Sequence, residues 1–206
     1  MKPSLYIVFL FFVFQIQAQK TTNKFFSSEG VSTINIDGSS VFKITIKTAK
    51  TKDISIESFV EGENSEHVVL VTHLQNNQLQ VSSVYQPLFV ADDDKRSVHK
   101  LISIELTILI PEHLNIIITS NIASVFITGS YNQVTTELIN GSFQSKNFQG
   151  NLLVNTIHGD IHVATNLVTV QASSKHGDVK QEVLTQGSRE ILLNSINGNI
   201  TVTKTE

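Results

Sequence analysis

Ser120-Asn121-Ile122-Ala123-Ser124-Val125, Leu138-Ile139-Asn140-Gly141-Ser142-Phe143, Thr156-Ile157-His158-Gly159-Asp160-Ile161, Ser174-Lys175-His176-Gly177-Asp178-Val179 and Ser195-Ile196-Asn197-Gly198-Asn199-Ile200 align without gaps on one small residue, at spacings of 18, 18, 18 and 21. Two positions after that residue stands Val125, Phe143, Ile161, Val179 or Ile200. Seven and five positions before it stand Ile116/Ile118, Val134/Thr136, Leu152/Val154, Val170/Ala172 and Ile191/Leu193. Residues two apart share one side of a strand, so each unit reads as strand, tight turn, strand, and then a polar turn such as Thr165-Asn166. A unit of 18 residues cannot enclose its own apolar side, but stacked units can. The pattern predicts an all-β fold, a β-solenoid of the parallel β-helix or β-roll type, with the repeat region over 116–203. The turn residues Ala123, Gly141, Gly159, Gly177 and Gly198 are expected to be small because a tight turn calls for positive φ, with Ala123 turning differently.

Upstream, alternation continues at Ile34/Ile36, Ile44/Ile46, Ile54/Ile56, Val69/Val71 and Leu79/Val81, which predicts five strands separated by turn-prone stretches such as Asp37-Gly38-Ser39-Ser40 and Asn76-Asn77. A further strand with Ile102, Ile104, Leu106, Ile108 and Ile110 on one side is ended by Pro111. Between them, 85–100 carries Pro87, Asp92-Asp93-Asp94 and Lys95-Arg96 and is expected to be a long exposed loop. No helical period persists over two turns, and no linker separates the halves, so 19–206 is expected to form a single domain. The polar Lys204-Thr205-Glu206 is expected to blunt the last unit.

The first 18 residues have the charged, apolar and small-residue parts of a secretory signal peptide: Lys2, an apolar run over 5–14, and Ile16-Gln17-Ala18. Cleavage after Ala18 leaves 188 residues and, with Lys2 gone, takes the formal charge from −3 to −4. The apolar run is too short to span a bilayer. The chain has no Cys, which excludes disulfides, cysteine nucleophiles and lipidation at cysteine. A mildly acidic balance without a basic cluster argues against nucleic acid or an anionic membrane surface as partner.

Chemistry-bearing groups are few. His158, Asp160, His162, His176 and Asp178 crowd two consecutive turns; with parallel neighbours about 4.8 Å apart, His158 is expected over His176 and Asp160 over Asp178. Paired carboxylates at that distance repel by roughly 1 kcal/mol, and a cation such as zinc would relieve it. The plainer reading, which we prefer, is that Asp and Asn beside Gly bond the local backbone; the matching turns carry Ser142 and Asn199, poor ligands. Three adjacent Asp at 92–94 lack the alternation of a calcium loop. A glycosidase pair could be drawn from Glu105, Glu112 and Glu137, but sequence does not place them together. No Gly-x-Ser-x-Gly elbow is present. Aromatic platforms for sugar are scarce: Phe143 is inward, while Phe148 and Phe89 are the better candidates for an exposed binding ring, with packing the preferred reading for both. No catalytic residue, metal or cofactor is assigned.

Leu109-Ile110-Pro111, then Leu114-Asn115-Ile116, then repeated Asn-Gly or His-Gly-Asp turns followed by Ile or Val, resemble the bacterial envelope proteins grouped as putative adhesins, including the head GIN domain family. The resemblance spans 34–202 and is specific from Leu101 onward. It implies a β-solenoid of parallel stacked rungs, export to the periplasm or surface of bacteria with two membranes, and no established catalytic residues. Ala123 and three extra residues around Gly187-Ser188-Arg189 depart from the pattern. The expected function is non-enzymatic: an exported adhesin-like binding or structural module whose partner is an envelope protein or surface glycan. The alternatives are a periplasmic accessory that recognises another envelope protein and a carbohydrate-active enzyme; with no evident secretion domain or anchor after the last unit, periplasmic residence is slightly favoured over surface display.

Overall fold

The computed structural model describes residues 19–62, 64–86 and 102–205. The expected signal peptide (1–18), Phe89 and the three Asp at 92–94 lie outside the described residues. The all-β expectation holds: fifteen strands among the described residues join into one nearly closed, barrel-like sheet. No described helix is long and apolar enough to cross a membrane.

Two strand ladders meet in the two longest strands. The first runs β1 (Gln19–Ser27), β4 (Asp53–Gly62), β7 (Ile102–Pro111), β3 (Lys43–Ala49), the first half of β9 (Ser124–Asn140), the first half of β10 (Phe143–His158), β11 (Ile161–Thr165), β15 (Ile200–Lys204) and β13 (Val179–Gln181). The second runs β5 (Val68–Gln75), β6 (Gln78–Tyr85), β2 (Thr33–Asp37), β8 (Asn115–Ser120), the second halves of β9 and β10, β14 (Arg189–Asn197) and β12 (Val168–Ser174). The pairs β1/β4, β4/β7 and β5/β6 are antiparallel. From β3 and β2 onward the pairing is parallel.

The 18-residue interval is the pairing register. Phe143 lies beside Val125 and Ile161, and Leu152 beside Val134. Inward side chains therefore form columns, such as Ile34, Ile116, Val134, Leu152 and Ile191, all fully or almost fully buried. One apolar cluster extends from Val31 to Val202. Where β9 and β10 pass from one ladder to the other the register shifts, and the bend is taken up by Gly129 (φ 115), Asn147 (φ 48) and Gly150 (φ 150). Tyr131 and Phe148 fill that corner as a stacked pair, with ring centroids 5.7 Å apart. Phe148 is thus core, the reading preferred for it over an exposed binding ring; its position just before Gly150 marks a corner filled by an aromatic ring. Burial pushes the Tyr131 phenol well above its ordinary range, and its hydroxyl bonds the carbonyl oxygens of Ile46 at 3.1 Å and Thr128 at 3.0 Å.

The order of neighbours departs from the order of the chain. β10 pairs with β14, and β12 pairs only with β14, so the unit around Gly198 is inserted between those around Gly159 and Gly177. The unit around Gly177 is outermost. Its inward residues Val170 and Ala172 are half-buried and Val179 is 43 % exposed, against the fully buried positions expected. The strands from the fifth unit are richer in large side chains, with Ile191, Leu193, Ile200 and Val202 against Val170, Ala172, Val179 and Gln181, and burial on both sides stabilises them more. The end of this side is accordingly formed by β12 and by three-residue β13, short and polar as an edge should be. Lys204, expected to blunt the end, instead pairs with Thr165 inside the ladder.

The turn glycines are needed for a different reason from the one expected. Positive φ occurs at Gly30, Gly62, Gly129 and Gly150, not at Gly141, Gly159, Gly177 or Gly198. Instead, a Cβ on Gly141 would run into the Ala123 carbonyl oxygen, one on Gly159 into that of Gly141, one on Gly198 into that of Gly159, and one on Gly177 into that of Gly198. Close stacking of backbone on backbone excludes a side chain there. The turn stacked beneath Ala123, 38–42, is one residue longer than those above it. In β5 the buried residues are Val68 and Leu70, not Val69 and Val71; with Val or Leu at all four positions, alternation cannot choose the side. The Asn76-Asn77 turn has both residues at positive φ, 51 and 63, as a two-residue hairpin loop requires.

Candidate functional site

Because Leu152, Val154 and Thr156 point inward, Leu153, Asn155 and Ile157 stand on the outer side of the second ladder. Parallel register turns such outward residues into columns. One column is Thr119, Glu137, Asn155 and Asn194. Its neighbour towards the tight turns is Ile139, Ile157 and Ile196, which are 43, 39 and 42 % exposed. Together they line an open groove of about 520 Å³ that crosses β8, β9, β10 and β14.

The polar column is partly self-paired, with Asn194 Nδ2 donating to Asn155 Oδ1 at 3.0 Å. The floor hydroxyls serve the turns. Ser120 Oγ donates to the Gly38 carbonyl at 2.6 Å and accepts the Ala123 N–H at 2.9 Å. Thr156 Oγ1 and Ser195 Oγ reach the Gly141 and Gly159 carbonyls, each at 3.4 Å. Glu137 is the one carboxylate among the lining residues. The groove thus offers an apolar rail beside a polar rail of hydroxyl, carboxylate and amide groups, repeated at the strand spacing of about 4.8 Å. That arrangement suits holding an extended amphiphilic molecule laid across the strands.

The histidine and aspartate cluster is taken apart by the inserted unit. His158 lies beside Asn197, whose Nδ2 is 3.2 Å from His158 Nδ1, and not over His176. Asp160 Oδ1 accepts the Asn199 N–H at 2.7 Å, and Asn199 Oδ1 accepts the Asp178 N–H at 2.9 Å. Asn199 therefore separates the two carboxylates expected to stack, and the side chains of Asp160 and Asn199 bond the backbone of the neighbouring layer, not the local turn. His162 is exposed on β11, next to Gln144 and Thr201. Among the described residues no group of three or more His, Asp or Glu is placed to hold a metal ion. Glu105 pairs with Lys43 at 3.0 Å on the first ladder, whereas Glu137 lines the groove on the second, and Glu112 follows β7 in a turn.

Sequence reading passed over Ile139, Ile157 and Ile196. The signal was present: each stands two before a turn glycine, and counting from Val134, Leu152 or Ile191 puts it on the outward side. Outward positions elsewhere, such as Thr169, Gln171, Thr201 and Thr203, are polar, whereas those across the groove are partly apolar.

No protein-family model matches the chain. No curated relative matches it either. Among solved structures it is similar to one described as a "putative cell adhesion protein" from Clostridium sporogenes, with 14 % identity, a TM-score of 0.62, and coverage of 91 % of this chain and 100 % of that one. It also matches a "putative adhesin" from Bacteroides fragilis at 14 % identity and TM-score 0.39, covering 90 % of this chain and 97 % of that one. A "putative lipid binding protein" from Parabacteroides distasonis matches at 13 % identity and TM-score 0.34, covering 91 and 97 %. The first shares the fold; the other two superpose too loosely to bear on it.

Proposed function

We propose that the chain is a β-solenoid exported to the cell envelope or surface, where it acts without catalysis as an adhesin-like module and binds an extended partner along the outer groove. The observation that carries this reading is the Ile139, Ile157 and Ile196 column left 39 to 43 % exposed beside the polar column of Thr119, Glu137, Asn155 and Asn194 in one groove. Aliphatic side chains in register on an outer face cost solubility and add nothing to the core, which marks an interaction surface. The solenoid description is supported by the 18-residue parallel register, and the adhesin-like role by fold similarity to a structure described in those words.

The test compares the wild type with the double variant I157D/I196D on immobilised glycans, phospholipid vesicles and matrix proteins. Binding by the wild type that the variant loses, with an unchanged melting transition, supports the reading. Equal binding by both, or turnover of a glycan by the wild type, counts against it. Protease treatment of intact cells, followed by opening of the outer membrane, separates surface display from periplasmic residence.

A further inference from the structure

Arg189 pairs with Val168 and directly follows the stretch after Gln181 in which the last interval lengthens from 18 to 21. It starts β14 and reaches the aromatic corner, where Nη1 donates to the Tyr131 carbonyl oxygen at 3.4 Å. Among the described residues no carboxylate lies within ion-pair distance of it. A guanidinium has five N–H donors, and this single bond to the protein leaves most of them unused.

Those donors border a cavity of about 650 Å³, whose lining includes Asn147, Phe148, Gln149, Asn166 and Leu167. The volume falls in the roughly 300–1,000 Å³ range of small-molecule sites. Asn147 is exposed, and its amide makes no hydrogen bond among the described residues. Gln149 uses only Oε1, which accepts from Ser130 Oγ at 3.2 Å. Leu167 is 60 % exposed although its backbone is left-handed, φ 59. Asn166 holds that turn, its Oδ1 accepting the N–H groups of Leu167 and Thr185, each at 3.0 Å.

We propose that this cavity binds a carboxylated sugar. The guanidinium fork matches a carboxylate in a two-pronged, charge-assisted pair. The amides of Asn147 and Gln149 can donate and accept, as sugar hydroxyls do, and Leu167 provides an apolar surface for the C–H side of a pyranose ring. One cation without a lysine among the lining residues suits a single carboxylate better than a phosphate dianion. The site is separate from the isoleucine groove and does not depend on it.

Calorimetric titration of the exported chain with trigalacturonate, its methyl ester and inorganic phosphate tests this. The acid is expected to bind, the ester about tenfold or more weaker, and phosphate not to compete. Arg189→Gln is expected to lower affinity for the acid at least about tenfold. Asn147→Asp, which leaves Arg189 and its bond to Tyr131 in place, is expected to lower it similarly by repelling the carboxylate. An ester as tight as the acid, competition by phosphate, full affinity in Asn147→Asp, or no binding by the wild type at millimolar concentration would each overturn the proposal.

Discussion

Gly198 rests directly on Gly159: a Cβ at 198 would collide with the Gly159 carbonyl oxygen, and one at 159 with that of Gly141. Neither glycine has positive φ, so the requirement is steric contact between layers, not turn geometry.

Gly159→Ala and Gly198→Ala are therefore expected to destabilise the protein by about 2–3 kcal/mol each, the range for forcing extra atoms into a packed interior. Denaturant midpoints measure it. An unchanged midpoint in both would show that the layers are not stacked this closely.

Thr136 occupies an inward column with Ile118, Val154 and Leu193, and its buried Oγ1 has no hydrogen-bond partner. Thr136→Val keeps the shape and removes the orphan hydroxyl, so it is expected to stabilise by about 1 kcal/mol. Ser120→Ala makes the opposite comparison. It deprives the Gly38 carbonyl and the Ala123 N–H of a partner and is expected to cost about 1–2 kcal/mol.

Burial raises the Tyr131 phenol above the ordinary value near 10. The unfolded chain releases that proton first, so the stability from the neutral phenol is complete below about pH 10 and declines as pH climbs towards the folded value. Denaturant curves between pH 8 and 11 should show this decline in the wild type and a smaller one in Tyr131→Phe. The same substitution should cost about 1 kcal/mol at neutral pH through the lost bonds to Ile46 and Thr128. Equal pH slopes in the two proteins would contradict the assignment.

Ile157 and Val154 lie three residues apart on opposite sides of β10. Val154→Ala removes fully buried surface and is expected to cost about 2 kcal/mol, whereas Ile157→Thr on the groove should stay within about 0.5 kcal/mol. Melting temperatures distinguish them. A large loss in Ile157→Thr would make that column structural and remove the main support for a binding role.

Much of this architecture was legible. Two-residue alternation placed Ile34/Ile36, Ile44/Ile46, Ile116/Ile118 and Leu152/Val154 inside, and it failed at β5, where Val68 through Val71 are all apolar. The groove was partly legible, since its isoleucines recur at one offset from the glycines. The cluster of His158, Asp160, His176 and Asp178 was misplaced, because sequence spacing was read as spatial order.

By itself the sequence determined which residues of most strands face the core and where the chain turns, because alternation and glycine placement are local properties of the backbone. Only the tertiary structure decided that the fifth unit slips between the third and fourth. A parallel edge accepts any strand whose inward columns match, and the choice went to the unit whose Ile191, Leu193 and Ile200 gained most from cover on both sides. That choice separates Asp160 from Asp178 and brings Ile196 beside Ile157, which together shape the outer groove.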